Sequence, residues 1–146
     1  MATTKKKYSG NKLANYQFPD RFGQWLGYQV IAIDPIRFKA KVQLEIRADH
    51  LSPAGRVHGG VVSAFLDYAC GAAVFSTMNS KDFCSTVELK VNYLKPVELG
   101  DLLLAKTEVV FLGKRLCVLH GYAYCNAQKA PVAMASATYN VVRRKK

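Results

Sequence analysis

The stretch from Val61 to Met78 is apolar or small on every side of a helix, and it constrains the fold more than any other feature of the chain. A helix without a polar face must be covered from most directions. It carries a single charge, Asp67, and is introduced by His58-Gly59-Gly60. Counted from Val57 to Met78 the run approaches the length of a membrane span, but Asp67, the glycine pairs and the small polar residues predict a buried core helix instead.

The rest of the chain supplies the cover. "DRFGQWLGYQ" predicts a short helix capped by Asp20 and stopped by Gly27. "YQVIAID" and "RFKAKVQLEIR" predict two strands joined at Asp34-Pro35; in the second, Phe38, Ala40, Val42, Leu44 and Ile46 share one face. A loop, "ADHLSPAGR", leads into the long helix, and four strands follow: "STVELKVNYL", "DLLLAKTEVVFL", "RLCVLHGYAYCN" and "PVAMASATYNVV". Cys117, Leu119, Gly121, Ala123 and Cys125 give one of these strands a face of mostly small residues, against which a bulky helix can lie. With no repeated βαβ alternation, the expected class is α+β, one antiparallel sheet wrapped around one long central helix.

At 146 residues, half of them hydrophobic, the chain suffices for one domain with a real core. Its net charge of +11 invites a nucleic-acid reading, but eight cations, Lys5, Lys6, Lys7, Lys12, Arg143, Arg144, Lys145 and Lys146, sit near the ends with no acid beside them. The remaining thirteen cations face ten carboxylates, so residues 20–140 are only mildly basic. Residues 1–17 and 143–146 are therefore read as solvated basic tails, and neither nucleic acid nor membrane is expected as a partner. Cys70, Cys84, Cys117 and Cys125 form no CxxC pair, and His50 and His120 have no metal-ligand spacing, so the expectation is a reducing compartment, no structural metal and structural roles for both histidines. With no apolar segment behind the N-terminal lysines, the expected location is cytoplasmic.

The chemistry concentrates at the long helix. Its first N–H groups have no intrahelical partner, and a glycine there can present one to a developing oxyanion, which makes Gly59 the candidate donor. The plainer alternative is that the glycines only fit a tight turn. An unpaired buried carboxylate is costly, so Asp67 requires a partner or a task. Gly59 and Asp67 stand eight residues apart, about 12 Å along one helix, and cannot both act on one carbonyl. If both are catalytic, Gly59 of one subunit works with Asp67 of another across two antiparallel helices, and a homodimer is required.

"GRVHGGVVSAFLDYACGAA", "STVELKVNYLKPVELGD" and "LGKR" together resemble the PaaI-like acyl-CoA thioesterases of the hotdog fold, over roughly residues 20–142. The resemblance implies one hotdog domain, placed at 18–142, that hydrolyses an acyl-CoA thioester in a site between subunits, within a homotetramer. No cofactor is implied beyond the coenzyme A of the substrate. By position Asp67 is the general base or nucleophile, Gly59 polarises the carbonyl, His58 orients the site or contacts substrate, and Thr86 holds the attacking water. Gly60, Tyr93, Leu94, Lys95 and Pro96, together with Gly113, Lys114 and Arg115, are expected on the substrate; the last two suit phosphates. Many members carry Asn six residues before the His, where this chain has Ser52, whose hydroxyl does not match an amide's reach. Glu88, two residues beyond Thr86 and on the same strand face, is a candidate second acid near the mouth, with a sheet-surface Glu as the plainer alternative.

Ser52 also keeps open a second reading, a non-catalytic acyl-CoA sensor or carrier, and a hotdog dehydratase fits the HGG and Asp placement less well. The acyl group is not fixed; its pocket depth is expected to depend on Phe65, Leu66, Tyr68 and the facing subunit.

Overall fold

A computed structural model describes residues 19–144. Helix α1 (Arg21–Leu26) is capped by Asp20, whose carboxylate accepts from the Gly23 N–H at 2.8 Å, and ends at Gly27 in the left-handed conformation (φ 83°). Strands β1 (Gln29–Asp34) and β2 (Lys39–Glu45) follow, then a 3-10 turn (Ala48–His50) and helix α2 (Gly59–Phe75). Strands β3 (Phe83–Tyr93), β4 (Leu102–Leu112), β5 (Leu116–Cys125) and β6 (Ala133–Val142) complete one sheet in the order β1-β2-β4-β5-β6-β3. Every pairing is antiparallel. Strands β1 and β3 are the edges.

The wrapped helix expected from composition is present, two residues earlier at its start and three earlier at its end. Val61, Val62, Phe65, Leu66, Ala69, Cys70 and Val74 are buried against the sheet. A Cβ on Gly121 would lie 3.3 Å from Cys70 Sγ, so the small face of β5 does admit α2. Thr107, buried beneath the helix, donates its hydroxyl to the Ala69 carbonyl at 2.8 Å, which satisfies a polar group that would otherwise be costly. The cover is incomplete, however. Ser63, Ala64, Asp67, Tyr68 and Gly71 remain partly exposed on one stripe of α2. Phe65 and Leu66, expected to set pocket depth, are 0% exposed and belong to the core, whereas Tyr68 stays on the stripe.

Other differences have local causes. The strand expected from Arg37 begins at Lys39, because Phe38 adopts φ 53° and the Asp34 carboxylate accepts from the Ile36 and Arg37 N–H groups at 2.9 Å, closing an Asx-type turn. The loop "ADHLSPAGR" contains the 3-10 turn and a bridge between Leu51 and Val57. Among the described residues no helix is long and apolar enough to cross a membrane. The expected tail of residues 1–17, and Lys145 and Lys146, lie outside the described residues.

Arg143 and Arg144, read as tail residues, make contacts with the domain. Arg143 bonds the buried carboxylate of Asp82 at 3.3 Å and the Thr77 carbonyl at 3.1 Å, and Arg144 stacks its guanidinium on Phe83. Asp82 also accepts from the Asn79 and Arg144 N–H groups, so it ties the α2–β3 loop to the end of β6. The Asn79 N–H bond leads the causes that hold this carboxyl below the usual carboxylate range, with the Arg143 charge adding to it. Its folded pKa is lowered, so the stability it contributes is fully present above the unfolded value of about 3.9 and is lost as the pH falls through the folded value. Asp82→Asn is expected to cost about 1–3 kcal/mol at neutral pH, since an amide cannot accept from both N–H groups as a carboxylate does. Thermal melts of the two proteins should differ at pH 7 and converge in the acid range; a constant difference down to pH 2 would refute the linkage.

Candidate active site

Helix α2 begins from His58, held extended (φ −64°, ψ 133°), whose Nδ1 accepts from the Gly60 N–H at 2.9 Å. Accepting at Nδ1 assigns the imidazole proton to Nε2. A Cβ on Gly60 would lie 3.0 Å from that Nδ1, so the second glycine is what admits the cap. His58 is itself fixed from behind, its N–H donating to the His50 carbonyl at 2.9 Å. His50 is fully buried, with its ring edge-on to Trp25. Among the described residues the Gly59 N–H has no hydrogen-bond partner and points from the positive end of a seventeen-residue helix. Ser52 lies in the turn that precedes this cap, where its N–H donates to the Arg56 carbonyl at 2.7 Å and its hydroxyl has no partner among the described residues.

Two turns along, Asp67 has partners. Its Oδ1 accepts from the Thr86 hydroxyl at 2.9 Å and from the Tyr139 hydroxyl at 2.5 Å, and the same phenol lies 2.6 Å from the Asp67 carbonyl. The carboxylate is partly exposed, and the partner that a charge on this helix requires is present: one oxygen is anchored, and the other has no hydrogen-bond partner among the described residues. Burial, then the charge of Asp67, pushes the Tyr139 phenol far up, which keeps it a proton donor at any working pH. Thr86, expected by resemblance to hold a water near Asp67, lies beside Asp67 and bonds it directly. Tyr139 escaped that reading, although its signal was available: the inward positions of β6 run Ala133, Ala135, Ala137 and then a phenol. Tyr139→Phe should lower kcat by about tenfold while leaving KM within about twofold, the loss expected when one hydrogen bond to a charged group no longer aims it. Steady-state kinetics check this, and an unchanged kcat would remove Tyr139 from the site.

A register shift between Thr86 and Glu88 explains the geometry of β3. Thr86 faces Tyr139 while Glu88 faces Thr138, so Val87 is the extra residue of a bulge. The bulge turns Thr86 inward to Asp67 and leaves Leu89 and Val91 against the core. It also puts Glu88 on the outer face, which corrects the expectation of a second acid beside Thr86.

At its far end β3 reaches the start of α2. Tyr93 donates its hydroxyl to the Gly59 carbonyl at 3.1 Å, and a cavity of about 420 Å³ there is lined by Arg56, Gly59, Tyr93, Leu94, Lys95 and Pro96. Gly113, Lys114 and Arg115 lie elsewhere, in the β4–β5 turn; Lys114 and Arg115 border a concavity of about 560 Å³ with Arg143. That concavity adjoins the Phe83 end of β3, opposite the Tyr93 end. One chain thus brings together Asp67, Thr86 and Tyr139 at one place, and Gly59, His58 and Tyr93–Pro96 at another. It does not unite them with Lys114 and Arg115.

A family model described as the thioesterase superfamily matches residues 54–132. The chain is 31% identical over 87 residues, 60% of its length, to a candidate esterase of Caenorhabditis elegans, and 43% identical over 70 residues, 48% of its length, to one of Saccharolobus solfataricus. It spans 51% and 45% of those two relatives. It is also 26% identical over 89 residues, 61% of its length and 70% of the relative, to the 1,4-dihydroxy-2-naphthoyl-CoA hydrolase of Listeria monocytogenes. Among solved structures, the Escherichia coli PaaI protein of the phenylacetic acid degradation operon matches at 25% identity and TM-score 0.74, with 85% of this chain and 86% of that one covered. A single-residue variant of PaaI from Thermus thermophilus matches at 26% identity and TM-score 0.73, over 83% and 98% of the two chains.

Proposed function

The chain belongs to the thioesterase superfamily, as a PaaI-like protein with a single hotdog domain, and on that premise we propose that it hydrolyses an acyl-CoA thioester in a site shared by two subunits. The observation that carries this reading is the state of Asp67: Thr86 and Tyr139 hold one carboxylate oxygen, and the other, with no partner among the described residues, is left to take a water.

In the proposed reaction that water attacks the thioester carbon while Asp67 takes its proton. The carbonyl oxygen becomes an oxyanion facing the Gly59 N–H of the other subunit, a donor with no competing partner among the described residues of its own chain. Collapse breaks the carbon–sulfur bond, the sulfur leaves as a thiolate, and the proton that Asp67 took from the water passes to that sulfur, giving free acid and coenzyme A. Thr86 donates to Asp67 and keeps oxygen lone pairs for the water.

A second subunit is required because Gly59 and Asp67 lie at opposite ends of about 12 Å of helix. The open stripe of Ser63, Ala64 and Gly71 beside Asp67 supports close approach of a second α2. The free edge of β3, eleven residues long, supports pairing with a second copy. Antiparallel pairing along β3 would also bring Lys114 and Arg115 of one subunit toward Tyr93–Pro96 of the other, where the phosphates of coenzyme A would meet cations. A homotetramer of two such dimers and cytoplasmic residence complete the reading.

The test is a panel of aryl, short, medium and long acyl-CoA substrates with a thiol-trapping dye. Release of coenzyme A thiol from at least one class is expected. Binding without thiol release would instead support the sensor or carrier reading, for which Ser52 in place of the amide is the specific observation.

A further inference from the structure

Resting on the reading above, in which Gly59 donates to the oxyanion, we propose that Tyr93 and Ser63 are positioning residues that set the tilt of that donor, a role distinct from contact with the substrate. The peptide unit linking Gly59 to Gly60 is held at both polar ends. Its N–H donates to His58 Nδ1 at 2.9 Å, and its carbonyl accepts from the Tyr93 hydroxyl at 3.1 Å. The phenol oxygen is in turn bonded to Ser63 Oγ, one turn further along α2. A phenol has one proton, and here it goes to the Gly59 carbonyl; the Ser63 hydroxyl therefore donates to the phenol oxygen.

This relay, Ser63 to Tyr93 to Gly59, ties the last residue of β3 to the first turn of α2. It spends inward the hydroxyl of a side chain that is 55% exposed and borders the 420 Å³ cavity together with Gly59. The ring itself would lie 3.4 Å from a Cβ placed on Gly59, so it packs directly over the donor residue. First-turn peptides of a helix lack the bonds that stiffen its middle. An oxyanion donor works only when its N–H is held 2.7–3.1 Å from the developing charge, so a rocking first turn weakens it. His58 and Tyr93 remove that freedom by fixing the next peptide from both sides, which leaves the Gly59 N–H oriented and unoccupied.

Tyr93→Phe keeps the ring and deletes only the hydroxyl. We expect kcat to fall about tenfold with KM within about twofold, and Ser63→Ala to lower kcat about threefold in the same way. The decisive measurement is a double-mutant cycle with Gly59→Pro, which has no N–H at this position. If Tyr93 acts through that N–H, Tyr93→Phe costs nothing further in the proline background. Multiplicative losses, a raised KM at unchanged kcat, or no effect of either single change would each overturn the proposal, with circular dichroism and thermal melts confirming folded variants. Failure of the wild type to hydrolyse any thioester removes both this role and the function it rests on. An active wild type with an unaffected Tyr93→Phe removes this role alone.

Discussion

Gly59→Pro is expected to lower kcat by about 10²–10³-fold in a protein that still folds, the loss typical of deleting one oxyanion donor. The local geometry makes proline a selective reagent here. Gly59 is the first residue of α2, the helical position at which proline is preferred, because the N–H it lacks has no intrahelical acceptor. The Gly59 N–H has none elsewhere among the described residues, so no structural hydrogen bond is lost. A residue before proline must be extended, and His58 already sits at φ −64°, ψ 133°. A Cβ at position 59 would meet the Tyr93 ring at 3.4–3.5 Å, ordinary contact distance. Stability should therefore hold within about 1 kcal/mol while turnover collapses. Retention of most of the wild-type kcat would show that the carbonyl oxygen is stabilised by some other group. Thermal melts beside acyl-CoA kinetics give both readings.

How much of this was legible beforehand depended on whether composition or register carried the information. Helix α2 announced itself because an apolar stretch from Val61 to Phe75 has one kind of solution, a surrounding sheet, and the small residues around Gly121 marked where it lies. Thr86 was set near Asp67 by resemblance rather than by counting along β3. Simple alternation would put Thr86 with Glu88 and Lys90, on the face opposite Leu89 and Val91. The apolar parity of Leu89 and Val91 requires the inward face there, so Thr86 reaches Asp67 only through the unpaired Val87. A bulge has no residue-type signature of its own, which is why Glu88 was misplaced. Tyr139 was missed because it lies far from the motif in sequence and becomes a partner of Asp67 only when β6 closes against β3. The partial exposure of Asp67 was likewise hidden, since an all-apolar helix reads the same whether its last face is covered by its own sheet or by a second chain.

That uncovered face leads to the strongest test of where the site is built. Asp67→Asn keeps an oxygen able to accept from Thr86 and Tyr139, so the anchoring bonds of 2.9 and 2.5 Å have a counterpart and the fold should survive. What it removes is the base, and kcat should fall by about 10²–10⁴-fold with little change in KM. The variant nevertheless retains a working Gly59, just as Gly59→Pro retains a working Asp67. In a site confined to one helix, no mixture of the two inactive proteins can work. In a site composed across a twofold, each mixed dimer holds one position where an intact Asp67 meets an intact Gly59. Random assortment makes half the dimers mixed, so co-expression should restore about a quarter of wild-type activity, because an isologous interface carries two equivalent sites. Mixing without subunit exchange should restore none of it. Activity that stays at the level of the separate variants after co-expression, with mixed dimers confirmed by differential tags, would rule out the shared site and return Gly59 to the plainer role of fitting a turn.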